Sequence, residues 1–109
     1  MTNRNKCLPL TETTFYVLTA LTTPRHGYDI MQTVEQLSGG DVCIAAGTMY
    51  GSLENLSKQG LIQAVPSSDP RRKVYQATTL GQEVLDAEKA RLRQLLQVSS
   101  HLGGLAAHA

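Results

Sequence analysis

The stretch GTMYGSLENLSKQGLI, residues 47–62, constrains this chain more than any other. Met49, Leu53 and Leu56 recur at helical spacing, and Gly60 ends the run. At about 3.6 residues per turn these three share one face. The opposite side carries Gly51, Glu54, Asn55 and Lys58, with Thr48 and Tyr50 on its shoulders. The sequence therefore predicts a helix from about Ala46 to Gln59 with one apolar stripe and one slim polar stripe. It runs directly into LIQAV, a strand-like segment.

The flanking residues supply the rest of a single small domain. The chain has 109 residues, and a domain of this size buries only about two thirds of its unfolded surface. Residues 11–22 read as a first helix, capped by Thr11, with Phe15, Leu18 and Leu21 at helical spacing and Pro24 beyond. A second helix opens near Gly27 and presents Tyr28, Met31, Val34 and Leu37 on one face, closed by Gly39 and Gly40. DVCI is expected to be a short extended piece. LIQAVPSS and RRKVYQAT form a hairpin around SSDP, with Tyr75 and Ala77 inward. From Thr79 a long helix runs to Leu102, with Leu80, Val84, Leu85, Leu92, Leu95, Leu96, Val98 and Leu102 as its apolar set. GGLAAHA reads as a frayed tail.

Composition narrows the functional classes. Net charge is +1, so the total favours no partner, but Arg71, Arg72 and Lys73 are consecutive, and Arg4 and Lys6 lie in a first decade without acids. No apolar run approaches the roughly 20 residues of a membrane span, and Glu12 interrupts any signal-like core, so a cytoplasmic protein is expected. Two cysteines, Cys7 and Cys43, make neither a disulfide scaffold nor a four-thiolate zinc site. Cys43 reads as a small buried hydrophobe. His26, His101 and His108 share no ligand spacing with either cysteine, and neither metal nor cofactor is expected. The chain shows no Gly-rich phosphate loop, nucleophile elbow or paired carboxylates, and His26 has no nucleophile or orienting partner, which argues against an enzyme.

A slim polar helix face fits the major groove of B-DNA. Gly51 leaves room for close backbone approach, and Thr48 and Asn55 offer hydrogen bonds to base edges. Thr48 and Tyr50 lie near the helix N-terminus, which favours a phosphate. The same amphipathicity also describes an ordinary solvated bundle helix. The basic run tips the balance, because Arg71, Arg72 and Lys73 lie at a hairpin tip one hairpin after the candidate reading helix, where a wing needs charge. With Lys58 they give one subunit only four basic contacts, too few for useful affinity alone. Two subunits are therefore expected. The last helix is the natural means, because Leu85, Leu92, Leu95 and Leu96 exceed what one small core covers. An intramolecular lid over the first two helices is the alternative. Glu83, Asp86 and Glu88 followed by Lys89, Arg91 and Arg93 suit the helix dipole and an antiparallel pairing of two copies.

These residues in this order resemble the PadR family of bacterial transcriptional regulators. The resemblance rests on Gly47-Thr48-Met49-Tyr50, on Leu53 and Leu56, and on Gly60-Leu61-Ile62. It continues through the basic wing, Tyr75 and Thr78, and Gly81, with Gly27 and Tyr28 upstream. It spans about Leu10 to Leu96. Gly51 departs from it, since the family often has Pro there. The single long final helix is similar to that of short members. The resemblance implies a mainly α fold with a small β-hairpin: a winged helix-turn-helix over residues 1–78, a dimerisation helix over 79–102 and a flexible tail over 103–109. It implies a homodimeric repressor binding double-stranded DNA. It also implies a small apolar or aromatic effector near the dimer interface, for which Phe15 and Tyr16 are the candidate lining. Simple core packing is the other reading of Phe15. A protein-binding winged helix and a redox or metal sensor on the same fold remain as alternatives.

Overall fold

The computed structural model describes residues 7–107, with side chains through His101. The chain order is α1 (Glu12–Ala20), β1 (Arg25–His26), α2 (Gly27–Leu37), α3 (Ala46–Lys58), β2 (Ile62–Val65), β3 (Val74–Ala77) and α4 (Thr79–Ala107). Among the described residues the sheet is antiparallel in the order β1-β3-β2, with Ile62 opposite Ala77 and Arg25 opposite Tyr75. Arg4 and Lys6 lie outside the described residues.

Local contacts set the start of α1 and the end of α3. The Thr11 hydroxyl accepts the Thr14 N–H and starts α1. Met49, Leu53 and Leu56 make the buried stripe of α3, as their spacing predicts. Gly60 then takes φ +74°, a conformation that costs glycine little. Its N–H donates to the Ser57 carbonyl at 3.0 Å, and the Leu61 N–H reaches back to Leu56 at 3.0 Å. This paired closure satisfies the last carbonyls of α3 and folds Leu61 into the core beside Leu56.

The same turn receives α4. The Thr78 N–H donates to the Leu61 carbonyl at 3.0 Å, and the Thr78 hydroxyl donates to the Gly60 carbonyl at 2.6 Å. That hydroxyl also accepts the Gly81 N–H at 3.0 Å and so caps α4. Gly81 is required by contact: a Cβ there would lie 2.0 Å from the Leu61 carbonyl oxygen. The ends of α3 and the start of α4 thus form one joint.

Several expectations fail in the structure. The inner face of α2 is Gly27, Ile30 and Val34, whereas Tyr28 and Leu37 are exposed. Val34 is buried as expected and Met31 packs half-buried against the core, but the inner face is centred on Ile30. DVCI forms no strand, and Cys43 is exposed rather than buried. The strand that completes the sheet is instead β1, only two residues long. The long helix continues past Leu102 to Ala107, so the stretch expected to be a tail is helical through that residue.

Glu88, grouped by the sequence with the acids that suit the helix dipole and an antiparallel pairing, is 1% exposed within the chain itself. Its carboxylate accepts N–H bonds from the Leu10 backbone and from Arg91, tying the segment before α1 to α4. The Arg91 hydrogen bond, with the Leu10 bond and the guanidinium charge, holds the Glu88 carboxyl below the usual carboxylate range against the opposing effect of burial.

Two stability outcomes follow from these contacts. Gly81→Ala should lose about 1–3 kcal/mol or more in urea unfolding, because backbone rather than a flexible side chain must yield. Glu88→Gln should cost about 1–3 kcal/mol at neutral pH. A carboxyl whose folded pKa is depressed stabilises above its unfolded pKa of about 4.3 and stops doing so as pH falls through the folded value. The stability gap between Glu88→Gln and the parent should therefore narrow in acid unfolding series below about pH 4.

Candidate nucleic-acid interface

The outward side of α3 is slim. Nothing lies within 4 Å of a Cβ placed at Gly47 or Gly51. Thr48, Asn55 and Lys58 are exposed, and Tyr50 is 58% exposed. The first turn of α3 has no side-chain cap, because Ala45 precedes it.

Tyr50 faces the wing. A cleft of about 650 Å³ is lined by His26, Gly27, Tyr28, Tyr50, Arg71, Arg72, Lys73 and Tyr75. The start of α2, the shoulder of α3 and the hairpin tip meet there. Gly27 permits this approach, since a Cβ on it would come within 3.0 Å of the Tyr50 hydroxyl and of Met49 Cε. Asn55 belongs to the other shoulder. It lines a separate groove with Ser52 and Gln59, opposite Pro9, Thr11 and Thr14. The structure thus brings Tyr50 together with Arg71, Arg72 and Lys73 and leaves Thr48 and Asn55 on the far side of the helix.

The positive charge is more restrained than the sequence implied. Asp69 holds Arg71 at 3.2 Å and Arg72 at 4.0 Å. Hydrogen bonds from Arg71, first its backbone N–H, keep the Asp69 carboxyl below its ordinary range. Lys58 pairs with Glu54 at 3.3 Å. Four cations therefore carry two local counter-charges. All the cations in these pairs are exposed, and the pairs are weak enough for a phosphate to replace them. Asp69 had been read only as turn chemistry, although a carboxylate two residues before an arginine was a visible signal.

The last helix divides sharply. Leu85, expected in the dimer surface, is 2% exposed and belongs to the core with Val84. Leu92, Leu95, Leu96 and Val98 are exposed, Leu96 by 67%. Where α1 meets α4, Leu10, Phe15, Tyr16, Glu88, Arg91 and Leu92 line a pocket of about 300 Å³. Phe15 and Tyr16 stack edge to face with centroids 6.4 Å apart.

The Cys43 thiol lies 3.7 Å from the Glu35 carboxylate, whose charge pushes the thiol pKa up and disfavours the reactive thiolate. Among the described residues no three His, Cys, Asp or Glu side chains gather to hold a metal, and no helix is long and apolar enough to cross a membrane.

The fold that holds these features matches known proteins. Residues 16–87 match the family described as Transcriptional regulator PadR-like family. The chain belongs to that family. A PadR family transcriptional regulator from Eggerthella lenta DSM 2243 is similar in structure, with a TM-score of 0.67 and 27% identity over 91% of this chain and 83% of its own. RosR of H. salinarum superposes with a TM-score of 0.64 at 25% identity, over 94% of this chain and 99% of its own. A PadR family regulator from Clostridium difficile R20291, 22% identical, shares the fold with a TM-score of 0.70 over 84% of this chain and 98% of its own. Among curated proteins none matches the sequence. PadR proteins are transcription regulators rather than enzymes, and membership implies DNA binding.

Removing the Asp69 charge tests how far the wing is restrained. Asp69→Asn keeps an acceptor for the Arg71 N–H and releases both guanidinium groups from a carboxylate. In salt titrations of DNA binding, the log–log slope should steepen by up to about one per subunit.

Proposed function

We propose that the chain acts as a homodimeric repressor in the cytoplasm. Two α3 helices enter successive major grooves about one helical turn apart, roughly 34 Å. The reading rests on one observation: Tyr50, on the shoulder of α3, lines one cleft with the basic hairpin, and the slim side of α3 beside it is open. Tyr50, Arg71, Arg72 and Lys73 position the protein on phosphates. Thr48, Asn55 and Lys58 contact the groove from the far shoulder, and Gly51 admits the close approach.

The exposed Leu92, Leu95 and Leu96 support pairing of two copies through α4. Such a stripe faces water along with Val98, and a second copy of the same helix covers it most simply. Leu85 has no part in that contact, because it is already buried. With α3 and the wing on DNA and α4 on its copy, occupying the operator is enough to block transcription. The pocket beside Phe15 and Tyr16 borders this stripe through Leu92, which suits a small apolar or aromatic effector. Filling it would shift α4 against α1 and alter the spacing of the two reading helices.

Selection of bound sequences from random duplexes at two salt concentrations tests this reading. A palindromic site is expected, and an absence of enrichment contradicts it. On the selected site, replacing Arg71, Arg72 and Lys73 together with Ala should weaken binding. It should also reduce the salt slope by up to about three per subunit. A winged helix that binds protein instead would keep its partner through that change.

A further inference from the structure

His26 sits between two donors. Its Nδ1 accepts the Asp29 N–H at 3.4 Å and caps α2. Its Nε2 lies 3.2 Å from Arg72 Nη1, across the gap between α2 and the wing. A neutral imidazole has one donor nitrogen and one acceptor nitrogen. If Nδ1 accepts the amide, the proton is on Nε2, and Nε2–H then faces a guanidinium that has only donors to offer. If Nε2 accepts from Arg72 instead, the Asp29 N–H loses its cap. In either tautomer the cluster is one acceptor short.

An anion oxygen placed between Nε2 and Nη1 removes the conflict. It accepts from both groups and leaves the helix cap intact. The surroundings suit such a ligand. Arg71, Lys73, Tyr28, Tyr50 and Tyr75 line the same cleft, and its lining contains no carboxylate. Neither neighbouring acid is hydrogen-bonded to His26 Nε2 or Arg72 Nη1. Asp29 is held by Arg25 at 3.2 Å and by Thr33, and Asp69 grips Arg72 only at 4.0 Å.

We propose that His26 and Arg72 together hold one backbone phosphate of the bound duplex, with His26 acting as a neutral Nε2–H donor. This deepens the DNA-binding reading and rests on it. The contact joins the start of α2 to the wing and so fixes the hairpin relative to α3. His26 is not among the residues that charge or groove geometry points to, because it supplies a hydrogen bond and no net charge.

That difference gives the contact a signature. A neutral donor contributes to affinity without releasing a counterion, whereas an arginine does both. His26→Ser keeps a side chain able to cap α2 and removes the reach to the phosphate. With the selected duplex, followed by fluorescence anisotropy over a salt series, His26→Ser should bind about tenfold more weakly with an unchanged slope. Arg72→Ala should bind more weakly with the slope reduced by about one per subunit. Equal binding by His26→Ser and the parent overturns the proposal.

The parent protein provides a test that needs no variant. Long-range nitrogen–proton NMR of the imidazole should show the His26 proton on Nε2 both free and on DNA. A proton on Nδ1 overturns the assignment. Titration with inorganic phosphate separates the source of the anion. A His26 Nε2 response to phosphate in a protein that binds no duplex would overturn the DNA assignment in favour of a small phosphate ligand. Silence toward both phosphate and DNA would remove the regulator reading and this site together.

Discussion

The joint between α3 and α4 governs the rest of the molecule. Gly60 reverses the chain, Leu61 turns its carbonyl toward α4, and Thr78 and Gly81 close on that carbonyl without a side chain between them. The helix that faces outward and the helix that carries the exposed leucines are therefore parts of one rigid corner. In the proposed pair of subunits a displacement of α4 would be passed to α3, because the contact is backbone against backbone and cannot be absorbed by a rotamer change. Glu88 reinforces the corner from the other side by anchoring the segment before α1. The pocket beside Phe15 and Tyr16 lies along this path, between α1 and α4.

Electrostatics at the opposite end follows a different logic. The wing is basic, yet Asp69 holds Arg71 and Arg72 there, and Glu54 likewise holds Lys58 on α3, in weak surface pairs. Such pairs cost little to exchange for phosphates and keep the free protein from adhering to anions at random. On the proposed reading, affinity is spread over contacts that become favourable together only when a duplex aligns α3 and the hairpin.

Much of this was legible in the sequence where a short-range pattern decides the outcome. The Met49, Leu53 and Leu56 stripe, the Gly60 stop and the Thr11 cap each depend on neighbours within a turn, and each appears as expected. The hairpin and the long helix were legible for the same reason. What escaped depends on distant partners. Periodicity puts Leu85 and Leu92 on one apolar face but cannot say where the core ends, and that boundary falls between them. Glu88 and Arg91 look like a surface pair three residues apart until Leu10 arrives from the other end of the chain. A two-residue strand at Arg25–His26 carries no pattern of its own, and it exists because β3 offers an edge. The grouping of Tyr50 with the wing, and of Asn55 with the opposite groove, is likewise a matter of how α3 rolls against α2.

The central claim is that two chains meet through the outer half of α4 and that the rigid corner then sets the distance between their α3 helices. Spin labels at Ser57→Cys, in a chain with Cys7 and Cys43 replaced by Ser, report that distance by pulsed dipolar spectroscopy on the DNA-bound protein. The account predicts one narrow interchain distance centred near a helical turn of DNA, roughly 34 Å. A trace with no interchain coupling, as from a solitary chain on DNA, would contradict it.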